Sequence, residues 1–155
     1  MSNTIDPNAL LAQAQALRER MEQLQAAIAS AEQTRVNVLR AIESIKAAKT
    51  DSEILVPSDP DFNAMIKAKP VDKENVIVRL GSDIYAKMPA DKAVALLEER
   101  ARSIAKQIQM LTEELRQVAQ ALQTTEMLLQ QIALAMQSQI QGKQAVGKGE
   151  KEKAG

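Results

Sequence analysis

Apolar residues recur at alternating spacings of four and three along two long stretches of this chain, and that period constrains the fold more than any other feature. The first stretch runs Leu10, Ala14, Leu17, Met21, Leu24, Ile28, Ala31, Arg35, Val38, Ile42, Ile45. The second runs Leu97, Ala101, Ile104, Ile108, Leu111, Leu115, Val118, Leu122, Thr125, Leu129, Ile132, Met136. A period of 3.5 residues sustained this long makes a coiled-coil seam rather than a face on a globular core. Arg35 is the one charged position in the first run. It reads as a long side chain snorkelling out of the seam, with a register-setting polar residue as the alternative.

Composition agrees with a chain that is mostly seam. Phe62 and Tyr85 are the only aromatic residues, whereas a compact core draws much of its buried area from aromatics. Twenty basic and twenty acidic residues cancel, so no net field favours nucleic acid. Cysteine and histidine are both absent. That removes disulfides, thiolate metal sites and the commonest general base. No apolar run approaches the ~18 residues of a membrane span, and Met1 to Asn8 lacks the order of a secretory signal. The expectation is a soluble, cytoplasmic protein.

Four segments follow from the pattern. Residues 1–50 form a coiled-coil helix, capped by Asp6 or Asn8 with Pro7 in its first turn and about 60 Å long. Residues 51–88 carry two β-hairpins. In the first, Ile54-Leu55-Val56 is closed by Pro57, turns through Ser58-Asp59-Pro60-Asp61, and returns along an alternating strand with Phe62, Ala64 and Ile66 on one face. In the second, Val76-Ile77-Val78 and Ile84-Tyr85-Ala86 flank Gly81-Ser82, a pair suited to a type II′ turn. Residues 89–141, opened by Pro89, form the second coiled-coil helix, and residues 142–155 are a Gly/Lys/Glu tail expected to be disordered.

The fold class is therefore mainly α: a long antiparallel coiled-coil hairpin with two β-hairpins inserted between its helices. If Ile45 lies near Leu97, Leu10 lies near Ile132, giving a rod with the hairpins at its base. Four short strands cannot cover both faces and both edges alone. Val76 and Val78 point one way and Ile77 the other, so the strands are expected to close a sheet or barrel with other subunits.

Motifs that would carry chemistry fail on inspection. Gly142 to Lys148 has phosphate-loop spacing up to its lysine, but Gly149 stands where the magnesium-binding hydroxyl belongs. Asp59 to Asn63 imitates a calcium loop, yet Ala64 replaces its glycine and Pro70 its bidentate glutamate. Glu98-Glu99 and Glu113-Glu114 are helix neighbours whose side chains diverge. No nucleophile has a base beside it. The expectation is no enzyme, no metal and no cofactor.

Charge distribution is more informative. No charged residue lies between Asp6 and Arg18, and none between Glu126 and Lys143. The antiparallel arrangement brings these stretches together at the rod's far tip. A two-stranded seam there needs Leu129, Ile132 and Met136, which leaves Met127, Leu128 and Leu134 over. Surplus apolar surface of this kind is a contact site for another polypeptide, unless a third helix covers it or the tip has a wider apolar face.

The long heptad helix, Glu53-Ile54-Leu55-Val56-Pro57, two hairpins, Val76-Ile77-Val78-Arg79-Leu80-Gly81 leading to Tyr85, then Ala93 through Leu97-Glu98-Glu99-Arg100, resemble the archaeal-like alpha-type subunit of prefoldin over about residues 9–140. The resemblance implies a hetero-hexamer of two alpha and four beta subunits on a β-barrel platform. It implies ATP-independent holding of non-native proteins at the tentacle tips and their delivery to a group II chaperonin. On this chain the client-binding tip would comprise Leu10, Leu11, Met127, Leu128, Ile132, Leu134, Met136 and Ile140. Assembly would use Ile54, Val56, Phe62, Ile66, Val76, Val78, Ile84 and Tyr85. The turn Ser58-Asp59-Pro60-Asp61 departs from the glycine-rich turns frequent among relatives. A structural adaptor with one dedicated partner is the alternative function; an RNA-binding arm lacks the basic stripe or stacking aromatics it needs.

Overall fold

A computed structural model of the chain describes residues 4–50 and 53–153, with side chains described through residue 149. Met1 to Asn3, Asp51, Ser52, Ala154 and Gly155, which fall within the expected helix, insert and tail, lie outside the described residues. In chain order the elements are α1 (Pro7–Ala48), β1 (Ile54–Pro57), β2 (Met65–Ala68), β3 (Asn75–Arg79), β4 (Tyr85–Pro89) and α2 (Ala90–Lys153). Two compact units result, one from residues 1–27 and 111–155, the other from residues 28–110.

The start of α1 follows from its sequence. Asp6 Oδ1 accepts the Asn8 N–H at 3.0 Å, and the Asp6 carbonyl accepts the Leu10 N–H at 3.2 Å. Asp6 is thus the N-cap, and Pro7 occupies the first helical position, where a missing N–H costs nothing.

In the first unit, Ala14, Leu24 and Thr125 are buried. Leu10, Leu17 and Met21 on α1 are half-buried, as are Leu111, Leu115, Val118, Leu122, Leu129 and Ile132 on α2. Arg20 donates from Nε to Glu114 Oε1 at 2.9 Å, and Arg18 Nη2 lies 2.6 Å from Glu126 Oε1. The earlier α1 residue meets the later α2 residue, so the pairing is antiparallel. Thr125 is a polar residue in the seam, and its hydroxyl donates to the Ala121 carbonyl at 2.8 Å. Burial therefore leaves no group unsatisfied. Met136 departs from the expected seam, being 56% exposed. Counting on from the Arg18–Glu126 pair, Met136 comes level with Asn8 in the first turn of α1, a polar residue that offers it no apolar cover.

In the second unit, α1 contributes Val38 and Ile42 to a core completed by Val78 of β3 and by Ala93, Leu97 and Ala101 of α2. Val76, Met88 and Ile45 pack against it. Lys49 pairs with Asp91. Arg35 is half-buried, with its guanidinium 3.8 Å from Glu32, in keeping with a side chain that snorkels along the helix.

The strands form two separate two-stranded antiparallel sheets, β1–β2 and β3–β4. Pro57 pairs with Met65 in the first, and Arg79 with Tyr85 in the second. β4 runs straight into α2, whose first residue Ala90 donates its N–H to the Glu74 carbonyl at 2.8 Å. Pro89 is accordingly the last residue of a strand, a position that tolerates its missing N–H, and not the first residue of the helix.

Three further expectations are corrected. Phe62 is not in a strand: it has a φ of 61° and closes the turn by donating to the Asp59 carbonyl at 3.2 Å. Gly81 does not have positive φ, so no type II′ turn forms. Instead the Ile84 carbonyl accepts both Leu80 N–H at 2.7 Å and Gly81 N–H at 3.4 Å, closing a wider loop with Ile84 outside β4. The third correction concerns α2, which continues through Lys153 rather than ending near Gln141. Gly142, Gly147 and Gly149 each cost about 1 kcal/mol against alanine, while the intervening lysine, glutamine and alanine residues favour helix.

Aspartates organise the turns. Asp72 Oδ1 accepts the N–H groups of Asn75 and Glu74, each at 3.0 Å, and Oδ2 the Asn75 side chain at 3.3 Å. These bonds, with Lys87 at 3.5 Å, hold its carboxyl below the usual range against slight desolvation. Desolvation pushes the Asp59 carboxyl up, but hydrogen bonds from Asn63, Asp61 and Ser58 together outweigh it and leave it lowered.

Two outcomes are expected. Leu24→Ala, at a fully buried seam position, lowers stability by about 2–5 kcal/mol. Met110→Ala, at a residue 74% exposed, changes it by no more than about 0.5 kcal/mol; chemical denaturation followed by circular dichroism measures both. A folded-state carboxyl lowered below its unfolded value stabilises the fold above the unfolded value, and that contribution is lost as pH falls through the folded one. Acidification below the ordinary carboxylate range should therefore lower the protection of the Asn63 and Asn75 amides relative to their intrinsic exchange rates, and Asp72→Asn should abolish the pH dependence of that protection at Asn75.

Candidate functional site

Apolar surface that the chain leaves uncovered falls in two places. The first is in the unit formed by residues 1–27 and 111–155. Leu11, Met127, Leu134, Met136 and Ile140 are each more than half exposed. Leu10, Leu128 and Ile132 are half-buried, so Leu128, expected as surplus, is partly absorbed into the helix pair. Both uncharged stretches lie in this unit, and the charges that border them, Arg18 and Glu126, are bonded to each other. An exposed ion pair adds little stability. Its consequence here is chemical: the charged surface stops, and beyond it a carboxylate or guanidinium is absent on either helix through Asn8 and Gly142.

The second place is the hairpin region. One face of the β3–β4 hairpin is used, with Val78 buried and Val76 against the core. The other face presents Ile77, 72% exposed, with Tyr85 also exposed. The β1–β2 hairpin covers neither face: Leu55, Val56, Met65 and Ile66 are exposed, and Ile54 only half-buried. Phe62 and Ile84 are exposed in the two loops. Covering such side chains would contribute about 1.5–3 kcal/mol each. Leu55, Met65 and Ile77 were missing from the expected assembly set, although two-residue alternation along the strands would have named them.

The acidic pairs of the second helix behave as surface groups. Glu113 accepts from Arg116 at 2.7 Å on its own helix, which holds its carboxyl low, while Glu114 accepts from Arg20 on the other. Their side chains diverge. Among the described residues no group of three acidic residues is placed to hold a metal ion, and no helix is long and apolar enough to cross a membrane.

The sequence profile of the prefoldin subunit family matches residues 10–134. The chain is 33% identical to prefoldin subunit alpha of Aeropyrum pernix over 104 residues, covering 66% of this chain and 69% of that one. It is 28% identical to prefoldin subunit alpha of Sulfurisphaera tokodaii, covering 62% and 64% respectively. The matched segments thus span about two thirds of these curated relatives. A filamentous PFD from Methanocaldococcus jannaschii, solved by cryo-EM, shares the fold with a TM-score of 0.62 at 19% identity, over 72% of this chain and 93% of that one. Two long helices separated by two small antiparallel hairpins, a profile match over most of the sequence and curated alpha-subunit relatives agree: this chain belongs to the prefoldin family.

Proposed function

We propose that this chain is the alpha-type subunit of a hetero-hexameric, ATP-independent holdase, two alpha subunits assembling with four beta-type subunits. Its hairpins close β-barrels with strands of neighbouring subunits. The uncharged segments of α1 and α2 capture non-native proteins in the cytoplasm and pass them to a group II chaperonin. Capture is multivalent: several weak apolar contacts around one client raise the effective concentration of each. Leu11, Met127, Leu134, Met136 and Ile140 supply the exposed contacts, and Leu10, Leu128 and Ile132 the partly covered ones.

One observation carries this reading. The uncovered apolar side chains fall into two sets of different character. One set lies on strands with open edges, which suits permanent pairing with another chain. The other lies on helices, is rich in methionine and leucine and free of charge, which suits partners of varied shape. A single dedicated partner would require only one such surface.

Two measurements test it. The complex reconstituted with beta-type subunits should suppress aggregation of an unfolded test protein without ATP. The double variant Met127→Glu/Leu134→Glu should require about tenfold more complex for equal suppression, equivalent to about 1.4 kcal/mol of lost contact, with the hexamer intact by native mass spectrometry. Unchanged suppression would remove the capture assignment. Ile66→Asp or Ile77→Asp, each on a strand face that the chain leaves exposed, should block assembly, and a full hexamer formed by either variant would remove the assembly assignment.

A further inference from the structure

Phe62 is the chain's only phenylalanine, and it occupies the one left-handed backbone conformation found at a non-glycine residue among those described. A bulky residue at positive φ is strained and persists only where the surroundings hold it. Here the holding is explicit. Asp59 Oδ1 accepts the Asp61 N–H at 2.9 Å, the Asn63 N–H at 3.3 Å and the Asn63 side chain at 3.1 Å. The strained residue's ring nevertheless covers little of its own chain, Phe62 being 53% exposed. The turn therefore presents a pre-formed aromatic knob flanked by two carboxylates, Asp59 and Asp61.

The same unit contains a cleft of about 410 Å³ with the opposite character. Val38, Ala41 and Ile45 of α1 and Val76 of β3 give it apolar walls, and Arg79 and Arg100 border it. Both guanidiniums donate to main-chain carbonyls: Arg79 to Gly81 at 2.9 Å and Ser82 at 2.8 Å, Arg100 to Arg79 at 3.0 Å. Neither is paired with a carboxylate among the described residues. Thr34, Asn37 and Ser44 also line it, so the cleft is mostly apolar inside and cationic at its border. Its volume is in the range that accommodates a ring with adjoining main chain.

We infer that the cleft receives the Asp59–Asn63 turn of a second copy of this chain, with Phe62 as the buried anchor and Asp61 steered by Arg79 and Arg100. Aromatic anchors seated in desolvated pockets dominate interface energetics, and opposite charge at the rim fixes approach and register. The inference deepens the assembly half of the proposed function and rests on it.

The chain lacks cysteine, so single introduced thiols report contact without background. Two differently tagged full-length chains, Pro60→Cys, in the same turn, and Ser44→Cys (Ser44 lines the cleft), are mixed in the reconstituted complex under a mild oxidant. A disulfide between the two tags is expected, with its yield falling several-fold when the Pro60→Cys chain also carries Phe62→Ala or Asp61→Lys. Native mass spectrometry on the same samples separates the failures. An intact complex with no mixed disulfide, with links only between two Pro60→Cys chains, or with a yield indifferent to both Phe62→Ala and Asp61→Lys overturns the inference and leaves the proposed function standing. Failure of the wild-type chains to form any multi-chain complex overturns the proposed function and this inference with it.

Discussion

The repeated contact of small and medium apolar side chains at 3.5-residue spacing is the interaction on which everything else depends. It uses the aliphatic residues at the heptad positions of α1 and, as far as Ile132, of α2, and the chain has only one phenylalanine and one tyrosine to add to them. The strands can then draw on a single small core, in which Val78 meets Val38, Ile42, Ala93, Leu97 and Ala101. That core covers one face of one hairpin. The exposed strands are thus a direct result of where the helices place their apolar residues.

The polar groups reinforce this division. Within the seam, Thr125 is satisfied by its own helix, so it neither weakens the pairing nor demands a partner. Charged groups pair across the helices at Arg18–Glu126 and Arg20–Glu114. They contribute direction and register more than stability, because all are substantially exposed. In the loops, Asp59 and Asp72 stand in for backbone partners, which lets short strands hold a defined register without a covering layer.

Much of this was legible in the sequence because burial in a coiled coil is one-dimensional. Every seam position named on α1 from Leu10 to Ile45 is buried or half-buried, and on α2 only Met136 fails. That failure, like the helix continuing past Gly142, depends on where the partner helix begins and on summed local propensities, neither of which a periodic pattern encodes. Turns were less legible. Gly81-Ser82 has the composition of a tight turn, but the register is set by Arg79 opposite Tyr85, which leaves a longer loop. Phe62 continued an apolar alternation that the turn interrupts, because Asp59 captures the following N–H groups before β2 can start. Surface assignments depend on the resemblance to prefoldin and on charge, since exposure of a leucine cannot be read from its neighbours alone.

Where α2 outlasts α1 has a consequence of its own. From Ala133 to Gly149 every residue is exposed, so this stretch is helical without tertiary cover. An isolated helix of such length, interrupted by glycines, is marginal in water. The order of this end of α2 therefore rests on local propensity alone, whereas the seam before it is held by burial against α1.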